Sequence, residues 1–377
     1  MANKLTGLID YIYQSADTVS RELVGMIPAV YLNGVAERVA VGQDVTYDIV
    51  PTMTAEDTTP AACPPALTDR EINTGTMRIT KSKTVRFHWT GEEETAIGAK
   101  RSNIENNTFA QAFRTIVNEI ERDLAGLYVH ASRAYGTPGT LPFGTPGDFS
   151  DAAQTLKILK DNGAPLSDLQ LVINTAAGAN IIGRQARYDI IGGDVPTLQR
   201  QGVLLDIAGF KIRESAAIGQ HTPGDGAGYL INNPDGYKKG DTALAVDSGS
   251  GDILAGDLVT IDGNSYVVAA DMEAGELTIA APGLLADVAD DTPVEAGADG
   301  YAANFAFDRS ALHLLCRLPK LPQGGDQADD ELVLVDERSG IPFRVALYRG
   351  YMANQVAIQC AWGCACVKPE HTALLLG

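Results

Sequence analysis

The sequence predicts an α+β protein with a small all-β unit set into its second half. Three observations carry that reading: two runs that alternate apolar and polar residues, one long run of helical periodicity, and a late acidic stretch cut by turn residues into strand-length pieces. With 377 residues the chain has room for about two or three domains and a large core. Hydrophobic residues are 45% and charged residues 20%, and mean hydropathy is -0.04, which excludes a disordered tail and a membrane-embedded bundle.

Leu8, Ile9, Ile12 and Tyr13 give a short helical pattern, followed by an extended stretch containing Pro28; together, to about Val35, they read as a docking arm. From Val39 to Ile49 the apolar residues Val39, Val41, Val45, Tyr47 and Ile49 hold the odd positions, the pattern of a half-buried strand. A second run sets Met77, Ile79, Val85, Phe87 and Trp89 against Arg78, Thr80, Ser82, Thr84 and Arg86. The two runs are expected to pair as a long hairpin. Pro51 to Thr76 between them is far longer than an ordinary hairpin connection and reads either as a disordered surface tip or, favoured by the two long strands that carry it, as a projecting arm lying across a neighbouring subunit. Lys81 and Lys83 interrupt the apolar face of the second strand, to protect an edge or to meet an acidic neighbour.

Ser102 and Glu105 form a capping-box pattern, and Phe109, Phe113, Ile116, Val117, Ile120, Leu124 and Leu127 recur every three or four residues. The expected helix, Asn103 to Arg133, would be roughly 45 Å long, a spine. Gly136, Pro138, Gly139, Pro142, Gly144, Pro146 and Gly147 then break the chain, and a new unit begins near Phe149. It alternates helix over Asp151 to Lys160, strand over Leu169 to Ile173, helix over Ala176 to Arg187 and strand over Gly209 to Arg213.

Between Tyr237 and Gly300 there are 13 acids and only two bases, Lys238 and Lys239. Short strands at Leu258 to Ile261, Tyr266 to Ala269 and Glu276 to Ile279, with a turn at Asp262-Gly263-Asn264-Ser265, predict a small all-β insertion. Asn304 to Leu318 resumes a helical pattern, and Gln355 to Val367 is an apolar strand.

Net charge is -19, from 29 Lys plus Arg against 48 Asp plus Glu, so a surface that grips nucleic-acid phosphates is not expected. No apolar run reaches the length of a membrane span, and Asp10 and Asp17 interrupt the start where a secretory signal would be apolar, so the expectation is cytoplasmic synthesis. Five cysteines, three of them at Cys360, Cys364 and Cys366, do not form a disulfide framework; they read as small buried hydrophobes sharing one strand face.

Catalytic and cofactor signatures are missing from the sequence. No Gly-Lys-Ser/Thr ends a phosphate loop, and Gly224-Asp225-Gly226-Ala227-Gly228 has its third glycine one residue early for a dinucleotide loop. His88, His130, His221, His313 and His371 stand singly, without the i,i+4 pair that holds zinc on one helical face. No Gly-x-Ser-x-Gly elbow presents a nucleophile. The reading is therefore no catalytic, cofactor-binding or metal-binding residue, and no cofactor.

The order of arm, hairpin with oversized tip, spine helix, mixed unit and insertion resembles the major capsid (coat) proteins of tailed bacteriophages. So do three stretches: Val195-Pro196 leading to Gly209-Phe210-Lys211-Ile212-Arg213-Glu214-Ser215, Asn304 to Leu312, and Ala361 to Glu370. The resemblance covers nearly the whole chain, and the β insertion is similar to that of the podovirus-type branch. It implies the Hong-Kong-97-type capsid fold: an N-terminal arm over 1–35, an extended hairpin loop with peripheral-domain strands over 36–100, and spine helix with peripheral domain over 101–148. The axial domain begins over 149–236, the inserted β domain follows over 237–300, and 301–377 returns to the axial domain and closing peripheral strands.

The same resemblance implies a structural, self-assembling protein and not an enzyme. Its copies would form the pentamers and hexamers of an icosahedral virion capsid, assembled in the host cytoplasm, that encloses double-stranded DNA without sequence-specific binding and involves no membrane. Scaffolding, portal and decoration proteins are the implied partners. The shell of a prokaryotic nanocompartment, and a soluble hydrolase or binding module, are the alternatives. No single position is carried over as functional, and no covalent cross-link is assigned to Lys81 or Lys83.

Overall fold

The computed structural model describes residues 12–16, 25–49, 73–97, 101–145, 148–185, 206–336 and 339–377. Residues 12–16 form a helical turn with Ile12 and Ala16 buried, while Leu8 and Ile9 lie outside the described residues. Around Pro28 the chain makes a 3-10 turn, Ile27–Ala29, and docks on its own body: the Met26 and Ile27 amides donate to the two carboxylate oxygens of Glu121 at 2.7 and 3.0 Å.

Strand β1 is Tyr31–Val39, β2 Asp44–Ile49, β3 Asn73–Arg78 and β4 Lys81–Thr90. The first alternating run is thus divided between two strands, by a turn at Ala40–Gln43 in which Gly42 takes φ 86°. β2 and β3 pair antiparallel from Asp44↔Arg78 to Ile49↔Asn73, so Asn73 to Thr76, expected in the loop, belong to a strand. Pro51 to Ile72 lie outside the described residues. β4 does not continue the hairpin, because the chain crosses between layers at Ile79 and Thr80: Ile79 bonds back to Gln43 and Gly42, and the Thr80 amide donates to Trp362 O.

The helices are α1, Gly91–Ile97, and α2, Arg101–Ala125. The spine is shorter than expected, about 37 Å at 1.5 Å per residue, because Gly126–His130 tightens into a 3-10 turn. Phe109, Phe113, Ile116, Val117, Ile120 and Leu124 are all buried, and this stripe is what packs α2 onto the sheet. The helix already includes Ser102, whose side chain is outside the described set.

Next come β5, Ala134–Tyr135, α3, Ser150–Asp161, β6, Leu169–Ile173, α4, Thr175–Gln185, β7, Lys211–Glu214, and β8, Gln220–His221. Then β9, Tyr229–Ile231, β10, Ala243–Asp247, β11, Leu258–Ile261, β12, Asn264–Glu273, β13, Glu276–Ile279, and β14, Pro293–Ala296, close into a barrel in the order β10-β13-β12-β11-β14-β9. β9 precedes the acidic stretch. The β11–β12 turn is the two residues Asp262 and Gly263, at φ 48° and 74°, with Ile261 facing Asn264. Alternation sends Leu277 and Val294 into the barrel and Glu276 and Glu295 outward to the solvated face, whereas Asp257 of the same acidic stretch is buried.

The last strands are β15, Tyr301–Asp308, β16, Leu312–Pro319, β17, Asp330–Val335, β18, Pro342–Gly350, β19, Ala353–Cys366, and β20, Thr372–Leu376. β15 and β16 replace the helix expected over Asn304 to Leu318. A run apolar on both faces has no usable period, and here both faces are covered: Phe305 and Phe307 pack into the core under α2, while Ala306 packs with α3 and α4.

Two six-stranded sheets result. One runs β1-β16-β19-β18-β17 with β4 also on β19, and α2 covers it; the other runs β5-β20-β15-β6-β7 with β8 on β15. The long β19 serves as the common strand, paired to β4 along ten residues from Ala353↔Thr90 to Trp362↔Lys81. Asn304, fully buried, ties the second sheet by donating to Leu375 O at 3.0 Å and accepting from the Asn174 amide at 2.7 Å.

Candidate functional site

The one constellation with the look of catalysis forms at the neck of the barrel. The chain enters the barrel just after β8 and leaves just before β15, and Gln220 and His221 pair with Ala302 and Tyr301 across that neck. There His221 Nε2 lies 2.7 Å from Asp257 Oδ1, and Nδ1 lies 2.7 Å from the Tyr128 hydroxyl in the turn after α2. Asp257 also accepts the amides of Gly224 and Leu254. Tyr301 donates its hydroxyl to Gly256 O at 2.5 Å.

An Asp–His–hydroxyl chain is the relay that activates nucleophiles, but this one is closed. His221 and Asp257 are 8% and 1% exposed. A Cβ on Gly256 would sit 2.9 Å from the Tyr128 ring and 3.1 Å from His221, so the barrel's own backbone fills the ground a substrate would need. Burial pushes the Tyr128 and Tyr301 hydroxyls above the ordinary tyrosine range, away from nucleophilic use. The relay is a pin that fastens barrel, mixed unit and spine together. No sequence pattern announces it, since its members are 36 and 93 residues apart.

Lys81 and Lys83 face α2. Lys81 Nζ is 2.7 Å from Asp123 and Lys83 Nζ 3.2 Å from Glu119, so acids four residues apart on the helix meet lysines two apart on the strand. The hydrogen bond to Asp123 raises the Lys81 pKa. The acidic neighbour is therefore the chain's own spine. Cys360, Cys364 and Cys366 occupy alternate positions of β19, with Cys316 on the adjoining β16. Burial pushes the Cys364 thiol up to about 11 and Cys366 to about 12. Among the described residues no three His, Cys, Asp or Glu side chains are placed to share a metal.

A second buried polar group holds the outer strands. Arg344, with no exposed surface, donates to Asp326 at 2.8 Å, Glu331 at 3.0 Å and Gln359 at 2.7 Å, and Glu331 also takes Arg38 of β1. Burial pulls the Asp326 carboxyl upward, yet the hydrogen bonds from Tyr348 and Arg344 prevail and hold it at about 2.

What stands away from these packed centres are edges and tips. β2 and β3 pair only with each other among the described residues, a ribbon that joins the body through Val45, Tyr47 and Met77. The β18–β19 turn carries Tyr351, 95% exposed, and Met352, 68% exposed at φ 53°, beside an open depression of about 1010 Å³ that includes Thr90, Glu92 and Arg349. Large apolar residues at a turn tip are features of contact surfaces.

No family model matches the chain, and no curated protein does. Several solved structures are similar to it. One from Mycobacterium phage Che8 is 14% identical, with 91% of each chain covered and a TM-score of 0.43. The capsid structure of cyanophage P-SCSP1u is 10% identical, covering 93% of this chain and 88% of its own, at a TM-score of 0.47. A virus-like particle from Pyrococcus furiosus is also similar, 10% identical over 97% and 98% of the two chains, with a TM-score of 0.45.

Proposed function

We propose that this chain is the major capsid protein of a tailed phage, a structural subunit whose copies close into an icosahedral head shell around double-stranded DNA. The observation that carries the reading is the ribbon β2–β3. A two-stranded ribbon alone is marginally stable in water, and in this one 23 residues of sequence, 50–72, connect the two strands. Such an arm gains its stability by lying on a neighbour, and repeated identical neighbours require closed symmetry.

In this reading the fold is of the Hong-Kong-97 type, podovirus branch. The spine α2 with the β4–β19 ladder forms the peripheral domain, and the α3–α4 unit the axial domain. The barrel is an insertion within the axial domain, with divisions at 35, 100, 148 and 300; its start lies before the expected 236, because β9, Tyr229–Ile231, is one of its strands, and the adjacent exit and return of the chain at β8 and β15 supports an insertion. The acidic balance keeps the shell from adhering to the DNA it holds. Scaffolding, portal and decoration proteins are its partners, in the virion and during assembly in the host cytoplasm.

Negative-stain electron microscopy of the purified full-length chain, with light scattering on the same sample, tests this. Uniform closed shells are expected, from the chain alone or on co-expression with its neighbouring genes. Absence of shells under both conditions overturns the proposal.

A further inference from the structure

The second sheet carries the acidic barrel at one end of β15 and a group of cations toward the other. Tyr301 and Ala302, at the start of β15, pair with His221 and Gln220 at the barrel's neck. Lys211 of β7 is level with Phe307, about 20 Å further along β15, and Arg309 follows the last residue of that strand. Lys211 Nζ and Arg309 Nη1 share the carboxylate of Asp168, at 2.7 and 3.5 Å. Arg213, half-buried on the same face of β7 as Lys211, spends its Nε on a neutral acceptor, Oε1 of the buried Gln170 at 3.2 Å, and makes no ion pair among the described residues. Burial and the charge of Arg309 push the Arg213 guanidinium down from its ordinary range, against the pull of Asp168 and Asp206. Lys211 and Arg309 are exposed, and no strand among the described residues pairs with the outer edge of β7. A half-buried cation without a counter-charge gains from an anion brought to it from outside.

We propose that this cationic edge receives the outer end of the barrel of a second copy of the chain, with Asp262, Asp290 and Asp291 set against Lys211, Arg213 and Arg309. The inference rests on the reading of the chain as a shell subunit, and it names two surfaces that meet between copies. β11 starts at the neck, beside Asp257, and runs outward to the Asp262–Gly263 turn, while β14 returns toward the neck from Asp290 and Asp291, with Ile261 facing Val294 and Val259 facing Ala296. The three acids are therefore gathered at the end of the barrel away from the neck. All three are exposed, and none makes an ion pair among the described residues; Lys238 of the same stretch is taken by Asp287. The chain's own barrel is held at the other end of β15 by the bond from His221 to Asp257, so the acids that reach this edge come from another copy. Opposite charges at opposite ends of one body favour a head-to-tail contact, the kind that closes into a ring under rotation.

Full-length chains carrying Lys211→Cys are mixed with full-length chains carrying Asp291→Cys, both with Cys63→Ser, then assembled and treated with oxidised glutathione. The expected result is a dimer on a non-reducing gel in which peptide mass spectrometry joins position 211 of one chain to position 291 of the other. Lys211→Glu with Arg213→Glu is expected to lower the yield of shells about tenfold, Asp290→Lys with Asp291→Lys to do the same, and all four changes in one chain to restore it. A chain that the reversal had merely unfolded would not recover on the swap. Shells that form at the wild-type yield with the edge reversed, or that form without the 211–291 link, overturn the docking and leave the shell function standing. A loss of shells that the swap does not repair overturns the barrel as the occupant. A wild-type chain that gives no shells, alone or with its neighbouring genes, fails the shell reading and the docking with it.

Discussion

Asp123 on α2 accepts the indole N–H of Trp362 on β19 at 2.8 Å while its other oxygen takes Lys81 of β4 at 2.7 Å. One carboxylate thus holds the spine helix to two strands of the sheet, and Trp362 is among the largest fully buried side chains. Asp123→Ala leaves a buried donor unpaired, which costs about 1–3 kcal/mol. Urea unfolding followed by tryptophan fluorescence measures it, and Asp123→Asn, which can still accept from the indole, is expected to lose less.

Gly363 lies where the link from β3 to β4 crosses β19. A Cβ there would stand 2.1 Å from Arg78 O, a backbone atom that cannot move aside without breaking the Thr80 to Trp362 bond. Gly363→Ala is expected to cost at least about 3 kcal/mol or to prevent soluble expression. A wild-type melting temperature for this variant would show that the crossing is looser than described.

The barrel has its own core, with Ile231, Val259, Ile261, Val268 and Leu277 buried. A fragment of residues 224–300 is expected to give a dispersed NMR spectrum. A fragment of 237–300 lacks β9, which closes the barrel between β10 and β14, and is expected to stay unfolded.

Within the full chain, Asp257→Ala strips His221 and two backbone amides of their acceptor. The loss should fall on the junction, at about 2–4 kcal/mol for a buried, charge-assisted group. Hydrogen exchange distinguishes the outcomes: faster exchange around His221 and Tyr128 with barrel amides still protected is expected, and loss of barrel protection would mean that the pin is part of the barrel's fold.

Asp326 gives the stability a definite acid dependence. Its carboxyl is lowered from 3.8 to about 2 by Tyr348 and Arg344 despite burial, so it contributes stability above pH 4 that is lost as pH falls from about 4 to about 2. Asp326 is solvent-exposed, so screening holds the contribution to about 1 kcal/mol or below. Denaturant midpoints between pH 6 and pH 2 should fall more steeply for the wild type than for Asp326→Asn.

Much of the local structure was legible because its cause is local. The stripe from Phe109 to Leu124 predicts α2 since each position has a single buried side, and Asp262-Gly263 predicts a hairpin because those residues accept positive φ. β15 and β16 were misread as a helix because burial on both faces erases the period that separates strand from helix. The spine's end was misplaced because Leu127 continues the apolar pattern while the backbone tightens to aim Tyr128 at His221. The pin itself left no trace in the sequence, since hydrogen bonding between residues 36 and 93 positions apart has no spacing rule.

By itself, the sequence determined the α+β class, the main helices, the acidic β-rich stretch between Tyr237 and Gly300, and the absence of familiar catalytic motifs, all set by composition, periodicity and turn chemistry over short windows. Tertiary structure alone decided which strands meet. β4 turned from its expected hairpin partner to β19, because ten residues of ladder under the apolar stripe of α2 stabilise more than an exposed ribbon can.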